Sequence, residues 1–207
     1  MIKAIIFDMD GLIVDTEPLL AKTVIRALKN QDVTLTEMEY FEHWTKDGGN
    51  IKLYIQKRNI IFDFDRYRRE KKEIYLSLLN QGIPFIQNAP EKIRELYKRY
   101  KLALVSSSNK DFVEKILISS NLKKYFSVVV SSEDVKKEKP DPEGFLLAAK
   151  KLKVSCKECV VLEDAEKGIV AAKAAGMKAI AIPNRYTKNN DFSKADQVLS
   201  SLKEVNL

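Results

Sequence analysis

Cysteine and histidine are almost missing from this chain. Cys156 and Cys159 are the only thiols, and His43 is the only imidazole. A lone Cys-x-x-Cys is half of a zinc site or a redox pair. No second pair exists to complete a zinc site, and Cys159 runs straight into an apolar strand, so the pair is read as structural. Glycine and proline are scarce too, 7 and 6 of 207 residues, and no low-complexity tract or repeat appears, which excludes disorder. No apolar run approaches the roughly 20 residues of a membrane span. The opening "MIKAIIF" is too short and too soon acidic for a signal peptide. The expectation is a soluble, cytoplasmic protein with no membrane partner.

Negative charge is in the minority, with 29 Asp and Glu against 36 Lys and Arg, a net charge of +7. A basic chain suits nucleic acid or anionic small molecules. The bases are scattered and no recognition motif accompanies them. The densest cluster, "YRREKKEIY" at 67–75, reads as the solvated face of a helix. Binding of nucleic acid is not expected, and anionic substrates fit the charge.

What the chain does have is apolar residue, 45% of the total, enough for a substantial core. Five short runs read as strands: Lys3–Phe7, Leu102–Val105, Ser127–Val130, Val160–Leu162 and Ala179–Ile182. They are continuous rather than alternating, as strands covered on both faces of a parallel sheet are. Helical patterns lie between them: Pro90 opens one, Asp141-Pro142 another, and Gly176 closes a third. Strand alternating with helix predicts a doubly wound, Rossmann-like α/β sheet. From about Thr16 to Gly82 there is helical periodicity and no strand. The expected organisation is an α/β core of residues 1–15 and 83–207, with residues 16–82 inserted as a helical cap.

The polar residues fall at the strand ends. "IIFDMDGLIVDTE" (5–17) places Asp8 and Asp10 after the first strand. Ser106 and Ser107 follow the second, "SSEDVKKEKP" leads from the third to Lys139, and Glu163-Asp164 closes the fourth. Open α/β sheets bind ligands beyond the carboxyl ends of their strands, where strand order reverses. Two carboxylates one residue apart repel each other unless a positive charge relieves them. Asp8, Asp10 and Asp164 together suit a hard dication, Mg²⁺ above all. The Ser106 hydroxyl, the Ser107 amide and the Lys139 ammonium make a phosphate cradle. Phosphoryl transfer relies on such positioning and charge neutralisation. One carboxylate attacks phosphorus to give an aspartyl-phosphate, and the other protonates the leaving oxygen and then activates water.

These stretches resemble the haloacid dehalogenase superfamily. "FDMDGLIVDTE" is similar to its motif I (DxDGxxxDT), "LALVSSSN" to motif II, "KEKPDPEGF" to the motif III lysine and "VVLEDAEKGIVAAKAAGM" to motif IV. The helical insert looks like the cap of the β-phosphoglucomutase-like phosphatases. The resemblance implies Asp8 as nucleophile and Asp10 as general acid/base. It also implies Mg²⁺ on the Asp8 and Asp164 carboxylates and the Asp10 carbonyl, with Glu163 reaching it directly or through water, and Ser106 and Lys139 on the phosphoryl group. Dehalogenases of this superfamily lack the second aspartate of motif I, so Asp10 favours phosphate chemistry. β-Phosphoglucomutases carry a histidine where this chain has Leu20, which turns the reading from mutase towards phosphatase. Motif IV usually continues with serine after Glu-Asp; Ala165 stands here instead, at the loss of a helix-capping hydroxyl.

Other residues have structural readings. Asp15 and Thr16 are expected to fix the turn into the insert, and Ser108 and Asn109 to cap the following helix. Lys137 and Glu138 are expected to face solvent. His43, Trp44 and Lys46 lie in a cap loop, "HWTKDGGNI", from which substrate contacts would come. The expectation is a monomeric Mg²⁺-dependent phosphatase of a small phosphate ester, a sugar phosphate in particular. Phosphomutase activity and a non-catalytic nucleic-acid-binding role are the alternatives.

Overall fold

Every residue of Ala4–Phe7 (β1) is buried, as in a strand covered on both faces. In the computed structural model of this protein, β1 lies in the middle of a six-stranded sheet. The structure describes residues 1–44 and 51–207; residues 45–50, Lys46 among them, and the side chains of His43 and Trp44 lie outside that description. Lys101–Val105 (β2) and Cys159–Glu163 (β4) flank β1. Val128–Val130 (β3) lies beyond β2, and Lys178–Ala181 (β5) and Gln197–Val198 (β6) continue beyond β4. All five pairings are parallel. The register sets Phe7 level with Leu104 on one side and Leu162 on the other. The residues one step further, Asp8, Val105 and Glu163, therefore lie together at one edge of the sheet. β2 and β3 build outward on one side of β1 and the chain then returns to β4 on the other, which makes the β1/β4 boundary the switch point.

The chain divides into two compact units, Met1–Asp15 with Ile83–Leu207, and Thr16–Gly82. Among its described residues the smaller unit holds four helices and no strand: Glu17–Lys29 (α1), Glu37–Trp44 (α2), Ile51–Gln56 (α3) and Phe64–Gln81 (α4). Its core gathers Ala21, Val24 and Leu28 of α1 with Tyr40, Tyr54 and Tyr67. Leu20 packs against that cluster. Asp63 starts α4, its Oδ1 accepting from the amides of Asp65 and Arg66 at 3.0 and 2.9 Å. Along "YRREKKEIY" the tyrosines are buried, while Arg68, Arg69, Lys72 and Glu73 stand in solvent.

In the larger unit, Ala89–Tyr97 (α5), Lys110–Ser119 (α6), Glu143–Leu152 (α7) and Glu166–Ala174 (α8) connect the strands. Phe145, Ala148 and Ala149 of α7 and Ile169 and Ala172 of α8 pack with Ile6, Ala103 and Val161 of the sheet. The two chain segments that lead to and from the helical unit run side by side, the Asp15 amide donating to the Pro84 carbonyl at 2.7 Å. The Asp15 carboxylate pairs with Arg185 at 3.0 Å. No helix among the described residues is long and apolar enough to cross a membrane.

Candidate active site

Lys139 is the positive centre of the strand-end cluster. Its side chain is 5% exposed, and its ammonium donates to Asp8 Oδ1 at 2.5 Å, Glu163 Oε1 at 2.7 Å and the Val105 carbonyl at 3.1 Å. A lysine this deep is tolerable only when paired. Burial works against its charge, but Asp8 and Glu163 override burial and hold the ammonium above the usual lysine range. The loop carrying it is built from α7: the Glu143 carboxylate accepts from the amides of Lys136 and Lys137, both at 3.0 Å. Lys137 and Glu138 are exposed.

The second aspartate of the motif, Asp10, is held by serine hydroxyls. Its Oδ2 accepts from the hydroxyls of Ser106 and Ser108, at 2.8 and 2.9 Å, and Ser106 Oγ in turn accepts from the Ser108 amide at 2.9 Å. Ser108 therefore does not cap α6, as its position suggested. Asn109 stands at the N-cap and makes no side-chain cap bond either. The Asp10 carboxyl group claims the Ser108 hydroxyl that would otherwise be free for the helix amides. Asp10 Oδ1 is buried and has no hydrogen-bond partner among the described residues.

Asp8, Glu163 and Asp164 are all buried and offer carboxylate oxygens within 4.8 Å of one another. Burial, opposed by Lys139 and reinforced by Glu163 and Asp10, pushes the Asp8 carboxyl up to about 8. Burial and the charges of Glu163 and Asp8 also hold Asp164 well above the usual range. With Asp10, four carboxylates face one ammonium. A divalent cation fits this set: the donors are all hard oxygens, the excess charge is negative, and one buried oxygen is orphaned. Glu163 differs from the other carboxylates, because both its oxygens already accept hydrogen bonds, Oε1 from Lys139 and Oε2 from the Ala165 amide at 2.9 Å.

Of the residues marked in the sequence, Asp8, Lys139, Glu163 and Asp164 form one group by these contacts, and Asp10 and Ser106 form another whose charge is felt at Asp8. Ser107 is half-buried at the turn from β2 to α6, and no hydrogen bond among the described residues ties it to them. Two further residues were not foreseen. A Cβ on Gly168 would lie 1.8 Å from Glu163 Oε1, so the glutamate occupies the space a side chain on α8 would fill. The Asn184 amide donates to Asp164 Oδ2 and to the Gly11 carbonyl, at 2.8 and 3.0 Å. The signals were there to read: a glycine five residues after Glu163, and Asn-x-x-Thr directly after a strand.

Residues 5–182 match the family described as haloacid dehalogenase-like hydrolase. The chain is 33% identical to the phosphorylated carbohydrates phosphatase of Thermotoga maritima, covering 86% of this chain and 83% of that one. It is 32% identical to the fructose-1-phosphate phosphatase of Escherichia coli, over 86% and 95% of the two chains. Among solved structures, CbbY from Rhodobacter sphaeroides in complex with phosphate superposes with a TM-score of 0.85 at 28% identity, covering 99% of this chain and 96% of that one.

Proposed function

Because this chain belongs to the haloacid dehalogenase-like hydrolases, we propose that its strand-end cluster hydrolyses phosphate monoesters of small carbohydrates. The observation that carries this reading is the pairing of Asp8 with Lys139 beside a second, hydroxyl-held aspartate. Lys139 fixes Asp8 Oδ1 and leaves Oδ2 to attack phosphorus. The bond from phosphorus to the ester oxygen breaks as the aspartyl-phosphate forms. Asp10 Oδ1, the oxygen with no partner among the described residues, carries the proton that the departing alkoxide takes up. Asp10, now a carboxylate, then removes a proton from water, whose oxygen attacks phosphorus and frees Asp8 and inorganic phosphate. Lys139 balances the phosphoryl charge, with Ser106 and the Ser107 amide beside it.

Mg²⁺ is the cation the site would take, and the Asp8 and Asp164 carboxylates and the Asp10 carbonyl would hold it, with Glu163 close enough to reach it directly or through water. Its chemistry when bound is neutralisation of the carboxylates and of the phosphoryl oxygens. Water as acceptor, rather than a second sugar, is supported by Leu20, whose side chain is committed to packing in the helical unit. The helical unit, Thr16–Gly82, is assigned the selection of substrate.

The test is phosphate release from p-nitrophenyl phosphate and from a panel of hexose and pentose phosphates. Turnover with Mg²⁺ and loss of at least about 10³-fold in Asp8→Asn are expected, the scale on which losing a nucleophile acts. Full activity in Asp8→Asn would sink the reading.

A further inference from the structure

Asn184 stands outside all four motifs, in the loop after β5, yet its side chain bridges Asp164 of the acidic cluster and the Gly11 turn that follows Asp10. Its Nδ2 donates to Asp164 Oδ2 at 2.8 Å and to the Gly11 carbonyl at 3.0 Å. Its Oδ1 accepts from the amides of Tyr186 and Thr187, at 2.8 and 3.2 Å, and its own amide donates to Thr187 Oγ1 at 3.0 Å. This turn settles which way the amide faces. With two backbone N–H groups on the oxygen, the NH₂ must point at the two acceptors. Gly11, at φ +84°, turns the chain directly after Asp10, and a Cβ there would meet Asp164 Oδ2 and Asn184 Nδ2 at 2.4 and 2.6 Å. The turn after β1 and the carboxylate after β4 thus approach each other closely, and one neutral amide joins them.

We propose that Asn184 is a positioning residue for the metal site: it locks the Asp164 carboxylate and the Asp10-Gly11 turn in the spacing that a divalent cation requires. The assignment rests on the metal-dependent phosphatase reading above. A neutral donor suits the task, since it satisfies one oxygen of Asp164 without supplying the positive charge the cation brings. Groups that orient metal-bound carboxylates typically contribute roughly 10- to 100-fold to metal affinity.

Calorimetric titration of the purified protein with Mg²⁺ is the test. Asn184→Ala, which removes clamp and turn, is expected to weaken Mg²⁺ binding by roughly tenfold or more. Asn184→Ser keeps a hydroxyl for the turn but cannot reach Asp164, and is expected to do the same. Activity in both should recover at high Mg²⁺ with the KM for substrate unchanged, which a general loss of packing would not produce. If either folded variant binds Mg²⁺ as tightly as wild type, the assignment to Asn184 is overturned while the metal reading stands. Should neither variant fold, Asn184 is a folding residue and the proposal fails. Wild-type protein that binds no Mg²⁺ would overturn both readings together.

Discussion

Gly168 is bare because the Glu163 carboxylate lies where its Cβ would be. Gly168→Ala must push Glu163 aside, and Glu163 cannot move without releasing Lys139. Overpacking and the disturbed ion pair together should cost about 2–4 kcal/mol, read as a lower urea midpoint, with a fall in kcat. An unchanged midpoint would show that Glu163 has another place to go. The acidic members of the site were legible because each ends an apolar run, a position where a charge stands out. Gly168 and Asn184 were not. Their roles depend on what lies across space from them, and an amide or a missing side chain carries no charge to draw notice. Ser108 was misjudged for a related reason: helix capping is a local rule, and the group that claims its hydroxyl, Asp10, lies far away in sequence.

At the scale of elements, the loop from β3 to α7 presents Lys139, and the Glu143 carboxylate holds it by two backbone amides. Glu143→Ala removes both hydrogen bonds at the start of α7. We expect a stability loss of about 1 kcal/mol and a disproportionate, roughly tenfold drop in kcat, because small misplacements of a catalytic group are costly. Equal kcat in the variant would mean that the loop holds its shape unaided. The central strands and the helices α1, α3 and α4 could be read from continuous and 3.6-residue apolar patterns. β6 and α2 were not read, although only β6 lacked a signal. β6 is two exposed residues long, too short for any periodicity. α2 did announce itself: Thr36 and Glu39 form a reciprocal capping box, with Thr36 N and Oγ1 each 2.8 Å from Glu39 Oε2 and Glu39 N 3.2 Å from Thr36 Oγ1.

At the scale of the whole molecule, a basic chain of net charge +7 encloses a knot of buried negative charge. Asp8 titrates near 8, above its ordinary 3.8. A carboxyl raised in this way binds more protons folded than unfolded, so stability falls as pH rises towards 8. Ordinary carboxylates are fully charged by about pH 6. Thermal melts in EDTA should therefore decline between about pH 6 and 8, and added Mg²⁺ should raise the melting temperature and flatten the decline. A melting temperature that rises with pH in EDTA would contradict this. The order of strands has a consequence for synthesis as well. β1 pairs with segments roughly a hundred and a hundred and fifty residues further along, whereas Thr16–Gly82 is contiguous. Local contacts form before distant ones, so on the ribosome the helices can consolidate while "AIIF" waits, sticky and unpaired, for both neighbours to be translated. That interval is when the nascent chain is most exposed to aggregation, and a chaperone that shields β1 would act then.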